Sequence, residues 1–142
     1  MKTNVLSAVL GLALVWPVVL SAQSFFLREL VVIPVRQIDA NSFEAVENDG
    51  AGGTLMWCAA AKFTRDHLRQ RGGDIGVLQA RGPSAVFAGR KSVIFTTAPV
   101  ANPVTSYSED VRTPGKTLSM AHAYALCRSN PEYFVKVRVV VP

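Results

Sequence analysis

The chain has 142 residues and a formal net charge of +5, and apolar residues make up 49% of it. This composition excludes a disordered or low-complexity chain, and the modest positive charge does not by itself indicate nucleic-acid binding. A chain of this length is expected to bury one core, so we expect a single ordinary domain and no nucleic-acid partner.

Residues 1–22 have the layout of a secretory signal peptide. Lys2 gives a positive start, residues 5–20 are almost continuously apolar, and Ala22 is a small residue at the expected cleavage point. We therefore expect residues 1–22 to be removed and residues 23–142 to form one α+β domain. The predicted location is periplasmic or secreted, a compartment in which disulfides persist.

Retention of the leader as a membrane anchor is the alternative to cleavage. The apolar stretch reaches the lower limit of a membrane span, but Pro17 weakens it as a continuous helix. Cleavage is favoured, and it would leave no stable membrane span in the mature chain.

The remaining sequence alternates between strand and helix patterns. In chain order, strands are predicted over residues 30–37, 42–46, 75–80, 92–97 and 133–141, and helices over residues 55–70 and 120–127. Pro34 favours an edge or bulge position for the first strand. Thr54 and Ser119 are the expected helix caps. Residues 98–115 carry three prolines and are predicted to be a long loop, the best candidate for a mobile or binding segment.

The order of these elements favours an α+β fold. We expect a small antiparallel or mixed sheet with two helices packed on one face. Both helices are rich in alanine, so their backbones can approach closely. This close approach makes a disulfide from helix to helix feasible.

The two cysteines of the mature chain, Cys58 and Cys127, are expected to form that structural disulfide. Helical periodicity points Cys127 inward and places Cys58 outside the main apolar side of its helix. The rival interpretation is that Cys58 is a nucleophile, because a position in the first turn of a helix lowers the pKa of a thiol. A thiol enzyme would need a histidine base, and His122 is the candidate.

Lys62, Arg65 and Arg69 form a basic stripe on the first predicted helix. Such a stripe is usually the solvated face of an amphipathic helix, but it is also a candidate site for an anionic polymer or another partner. Gly50 to Thr54 resembles neither nucleotide-binding fingerprint, and a flexible turn before a helix is the favoured interpretation. We find no metal-ligand spacing, no cofactor motif and no assembled catalytic set in the sequence.

Several short motifs together resemble those of small exported proteins of unknown function from Gram-negative bacteria. These motifs are Trp57-Cys58, the strand at residues 92–96, Leu118-Ser119 and the late Cys127. The resemblance implies a periplasmic or secreted location and carries no activity.

The sequence therefore predicts an exported, disulfide-stapled domain that is not an enzyme and acts by binding an envelope protein or an anionic polymer. The alternatives are a thiol-dependent enzyme that uses Cys58 and a structural or stress-protective envelope protein.

Overall fold

The computed structural model describes residues 28–141, and the predicted leader lies outside the described residues. The strands are β1 Glu29–Gln37, β2 Ser42–Val46, β3 Asp74–Pro83, β4 Lys91–Thr96, β5 Val104–Thr105, β6 Lys116–Ser119 and β7 Tyr133–Val139. The helices are α1 Gly53–Asp66 and α2 Met120–Ala125, and a 3-10 turn, Leu126–Arg128, continues α2.

The described strands form one mixed sheet in the order β5-β6-β3-β4-β2-β1-β7. Its inner pairs are antiparallel, whereas β5 pairs with β6 and β1 pairs with β7 in parallel. Helix α1 contacts β1, β2 and β7, and α2 contacts β3 and β6. The core is built around large side chains of α1, β2 and β4, which are Trp57, Phe63, Phe43 and Phe95.

The predicted fold, a small sheet carrying two helices on one face, is wrong. The sheet has seven strands and dominates the structure, and α2 has only 6 residues. Strands β5 and β6 have 2 and 4 residues, too short to show a period in the sequence. They form through pairing with each other and with β3, a contact that local sequence patterns do not reveal.

Pro34 does not mark an edge strand, because β1 lies between β2 and β7. The paired residues of β1 and β2 run from Val35 to Gln37, so Pro34 falls just beyond this ladder. The sheet therefore accommodates the missing N–H of Pro34 in an inner strand.

Helix α1 is shorter than predicted, and it is buried on nearly every side. Its N-cap is Gly52 rather than Thr54, and the helix ends at Asp66. Cys58 is fully buried because α2 and the 3-10 turn pack against α1 in addition to the sheet. Ser119 caps α2 as predicted, since its hydroxyl accepts the N–H of His122 at 3.2 Å.

Candidate functional site

The predicted disulfide between Cys58 and Cys127 is present. Its Cα atoms lie 4.8 Å apart, within the usual range for a disulfide. The bridge joins α1 to the 3-10 turn across a sequence separation of 69 residues. Residues 28–141 contain no free cysteine. The disulfide therefore occupies the thiol that the nucleophile hypothesis requires.

The three basic residues of the predicted stripe have different surroundings. The Lys62 ammonium donates to the carbonyl of Val135 at 2.5 Å. Arg65 donates to both carboxylate oxygens of Asp66 and lies over the ring of Tyr124. Arg69 is exposed beyond the end of α1.

Two of these side chains are thus engaged within the protein. The hydrogen bonds that the Arg65 guanidinium donates to Asp66 are the main cause that raises the pKa of Arg65. These contacts occupy donors of Lys62 and Arg65, and anion binding by the stripe stays a prediction.

Residues 106–112, which we call the anchored loop, fold around the carboxylate of Asp110. One carboxylate oxygen accepts the N–H of Arg112 at 2.9 Å, and the other accepts the hydroxyl of Ser108 at 3.0 Å and the ammonium of Lys116 at 3.3 Å. The N–H of Arg112 is the main reason that the pKa of Asp110 is lowered, and Ser108 and Lys116 add to the effect. The carboxylate is therefore ionised at neutral pH and orders the segment.

Lys116 fixes the anchored loop to the sheet. This residue is only 1% exposed, and its ammonium also donates to the hydroxyl of Ser106 at 2.7 Å. A serine hydroxyl beside a buried lysine resembles a nucleophile with its base. Here, however, the ammonium donates to both the Ser106 hydroxyl and the Asp110 carboxylate, so its hydrogen bonds hold two residues of the loop against the sheet. The pair is therefore a structural anchor for the loop.

The anchored loop also closes over the start of α1. The hydroxyl of Thr54 donates to the carboxylate of Glu109, and the indole N–H of Trp57 points to the carbonyl of Asp110 at 3.4 Å. At Gly53 the backbones approach so closely that a Cβ would lie 2.1 Å from the carbonyl oxygen of Glu109. Thr54 therefore binds the loop rather than capping the helix, and Glu109 places an internal anion at the N-terminus of α1.

A cleft of about 680 Å³, which we call the α1 cleft, opens between the anchored loop, the turn before α1 and strand β3. Its polar wall contains an ion pair in which Arg81 donates to both carboxylate oxygens of Glu47, at 2.6 and 2.8 Å. Arg81 is also the main cause that lowers the pKa of Glu47. The cleft thus carries both signs of charge.

Tyr107 is the most prominent side chain of the anchored loop. It is 89% exposed, although neighbouring residues of the loop are tied to α1 and the sheet. The ring lies between the α1 cleft and a second concavity of about 350 Å³, where it faces the ring of His122 with centroids 6.2 Å apart. The loop therefore presents an aromatic side chain with a hollow on either side.

A buried carboxylate lies on another part of the sheet. Glu44 is 1% exposed and accepts the hydroxyls of Ser92 at 2.7 Å and Ser84 at 2.8 Å. Burial opposes its ionisation, but these hydrogen bonds and Arg36 outweigh that effect and lower the pKa of Glu44. Because its hydrogen bonds are filled from within, the cluster has a structural role.

Sequence reasoning missed Asp110 and Lys116, the two residues that organise this site. The sequence predicts residues 98–115 only as a long loop and singles out no residue within it. The spacing of Ser108, Asp110 and Arg112 could have predicted an ordered turn. An aspartate in a turn often accepts hydrogen bonds from groups two residues before and after it, here the Ser108 hydroxyl and the Arg112 N–H. The burial of Lys116 has no local signature, because it depends on the pairing of β6 with β3 and β5.

Comparisons with family models, with curated proteins and with solved structures found no match to this chain. Across residues 28–141, no helix is long and apolar enough to cross a membrane. In the same part of the chain, no group of three or more His, Cys, Asp or Glu side chains is placed to hold a metal ion.

Proposed function

We propose that this protein is an exported, non-enzymatic binding domain that holds a protein partner at the anchored loop, with Tyr107 as the central contact. One observation carries the proposal: Tyr107 is 89% exposed on a segment that Asp110 and Lys116 hold in place. Burial of an exposed aromatic ring by a partner removes a large apolar area from water and so favours association.

The internal anchoring of the loop favours binding in a second way. Ordering a flexible loop on association costs free energy, and a loop that is already ordered avoids this cost. Tyrosine offers a large amphipathic contact with few rotatable bonds, and tyrosines are common among the residues that dominate protein interfaces. The hollows on either side of Tyr107 leave room for side chains of a partner.

The charges around Tyr107 favour a protein over an anionic polymer. Glu109 and Asp110 belong to the anchored loop, and Glu47 lines the α1 cleft together with Arg81 and Arg112. A polyanion site needs a surface of one positive sign, whereas mixed charges are typical of the polar rim of a protein interface.

The disulfide supports the proposed export and argues against a thiol enzyme. Disulfides persist in oxidising compartments, which agrees with the secretory leader predicted from residues 1–22. A thiol enzyme needs a thiolate at Cys58, and the sulfur of Cys58 is bonded to that of Cys127 in a buried position.

Site-specific photocrosslinking in cells that export the protein tests this function. A photoreactive phenylalanine analogue is placed at position 107 in one variant and at Leu78, an exposed apolar residue of β3, in a matched control. We expect a discrete crosslinked protein from position 107 and none from position 78. Equal crosslinking at both positions, or none at position 107 with normal export, would contradict the proposal and favour a structural or stress-protective role.

A further inference from the structure

The outer edge of β7 offers backbone groups that no described strand uses. β7 ends the sheet and pairs only with β1 among residues 28–141. The N–H of Glu29 donates to the carbonyl of Glu132, and the N–H of Val140 donates to the carbonyl of Val35. In a parallel pair, alternate residues face the neighbouring strand. The even-numbered residues of β7 therefore face β1, and the odd-numbered residues direct their N–H and C=O groups outward.

A groove of about 320 Å³ runs along this edge between β7 and α1. Phe63 and His67 line its helix side, and Val137 and Val139 line its strand side. Val139 is 41% exposed. The groove thus combines an unused strand edge with an apolar floor beside a helix, the arrangement in which peptides add to a sheet as a further strand.

The edge is positively charged. Lys136 and Arg138 alternate along β7 and are exposed, and the Lys62 ammonium lies 4.6 Å from the centre of the Phe134 ring at the same edge. The carboxylate of Asp66, which also lines the groove, is bonded to Arg65. Antiparallel pairing with a second copy would bring lysines and arginines of the two edges together, which disfavours self-association.

We propose that the β7 edge binds an extended peptide segment of alternating acidic and apolar residues, which adds to the sheet as a further strand. Its apolar side chains would lie over the groove beside Phe63 and Val137. Its acidic side chains would lie on the opposite face, beside Lys136 and Arg138, because neighbouring strands share the same alternation of faces. This surface is separate from the anchored loop and does not depend on the function proposed there.

The hydrogen bond from Lys62 to Val135 is part of this arrangement. Its ammonium covers one outward carbonyl of β7 and leaves the outward groups of Val137 and Val139 for a partner. A lysine at a strand edge protects that edge against unspecific pairing. On peptide binding, Lys62 can exchange the carbonyl for a carboxylate of the peptide, a stronger partner for an ammonium.

Fluorescence anisotropy with the full exported protein tests this inference, with a fluorescein-labelled peptide of alternating glutamate and valine as the probe. We expect saturable binding that weakens as salt is added. The double variant Lys136→Glu with Arg138→Glu is expected to bind at least about tenfold more weakly, because two attractive cross-strand pairs become repulsive. A matched double variant, Arg71→Glu with Arg128→Glu, makes the same change in net charge on exposed residues elsewhere and is expected to bind like the wild type.

Two N-methylated versions of the peptide separate strand addition from simple charge attraction. One carries methyl groups on the valine nitrogens and the other on the glutamate nitrogens. Alternate N–H groups of a strand point to opposite sides, so only one of these peptides can still pair with β7. We expect one peptide to bind and the other to lose binding.

Retention of binding by both N-methylated peptides would overturn the inference, and so would equal loss of affinity in the two double variants. Sedimentation of the free protein gives a further check. A stable dimer that the Lys136→Glu and Arg138→Glu changes alter would show that the occupant of the edge is a second copy, which also overturns the proposal.

Discussion

Replacing Cys58 and Cys127 together by alanine is expected to lower the free energy of unfolding by about 4 kcal/mol. The bridge spans a sequence separation of 69 residues, and it restricts the unfolded chain by closing that loop. In the chain-entropy relation, closing a loop of this size lowers the entropy of the unfolded state by about 15 cal/mol/K. At 25 °C this corresponds to a stabilisation of about 4 kcal/mol.

Urea denaturation of the wild type, the double variant and the reduced wild type measures this loss. Fluorescence follows unfolding because Trp57 is fully buried beside Phe95. The reduced wild type keeps both sulfur atoms, so its difference from the double variant gives the packing contribution of the cysteine side chains alone. A loss below about 1 kcal/mol in both reduced and substituted proteins would refute the chain-entropy reasoning.

Three further predictions concern the anchored loop and the buried carboxylate. Lys116→Met removes the ammonium that holds the loop, so hydrogen exchange of residues 106–112 is expected to accelerate, with a stability loss of about 1–3 kcal/mol; unchanged exchange would contradict the anchor. Gly53→Ala places a Cβ 2.1 Å from the carbonyl oxygen of Glu109 and is expected to lower the melting temperature of the protein. Gly52→Ala is the control, because a Cβ there meets nothing within 4 Å. Equal melting temperatures of the two variants in thermal denaturation would contradict the close approach at Gly53. The folded pKa of Glu44 lies below its ordinary value of 4.5. The contribution of the ionised Glu44 to the free energy of unfolding is therefore complete above pH 4.5 and is lost as the pH falls through the folded pKa. Glu44→Gln is therefore expected to reduce the loss of unfolding free energy between about pH 6 and about pH 3, and an unchanged pH dependence would contradict this assignment.

The features that could be predicted from the sequence are a covalent bond and a local hydrogen bond. Two cysteines in a chain with a predicted secretory leader indicate a disulfide, and Ser119 before an apolar stretch predicts a helix cap. Both features depend on residues that are few in number or adjacent in the chain. The disulfide and the cap are present in the structure.

Features that depend on distant pairing escaped prediction. β6 exists because Ile75 of β3 faces Leu118, a contact between segments far apart in the chain. Without that pairing there is no reason to place Lys116 in the interior. Asp110 organises the anchored loop partly through its contact with Lys116. The sequence alone does not reveal this contact, so it shows these residues only as part of a polar loop. Helical periodicity places Cys58 outside the main apolar side of α1, because periodicity reveals only the side that faces the sheet. The packing of α2 against another side of α1 buries Cys58, and this contact has no signature in the sequence of α1.

Rigidity of the anchored loop underlies the proposed function, and backbone ¹⁵N relaxation of the free protein measures it most directly. If Asp110 and Lys116 hold the loop as described, the order parameters of residues 106–112 should match those of the strands, about 0.85. Values below about 0.6 would show a flexible segment. Such values would contradict a preorganised binding loop presenting Tyr107.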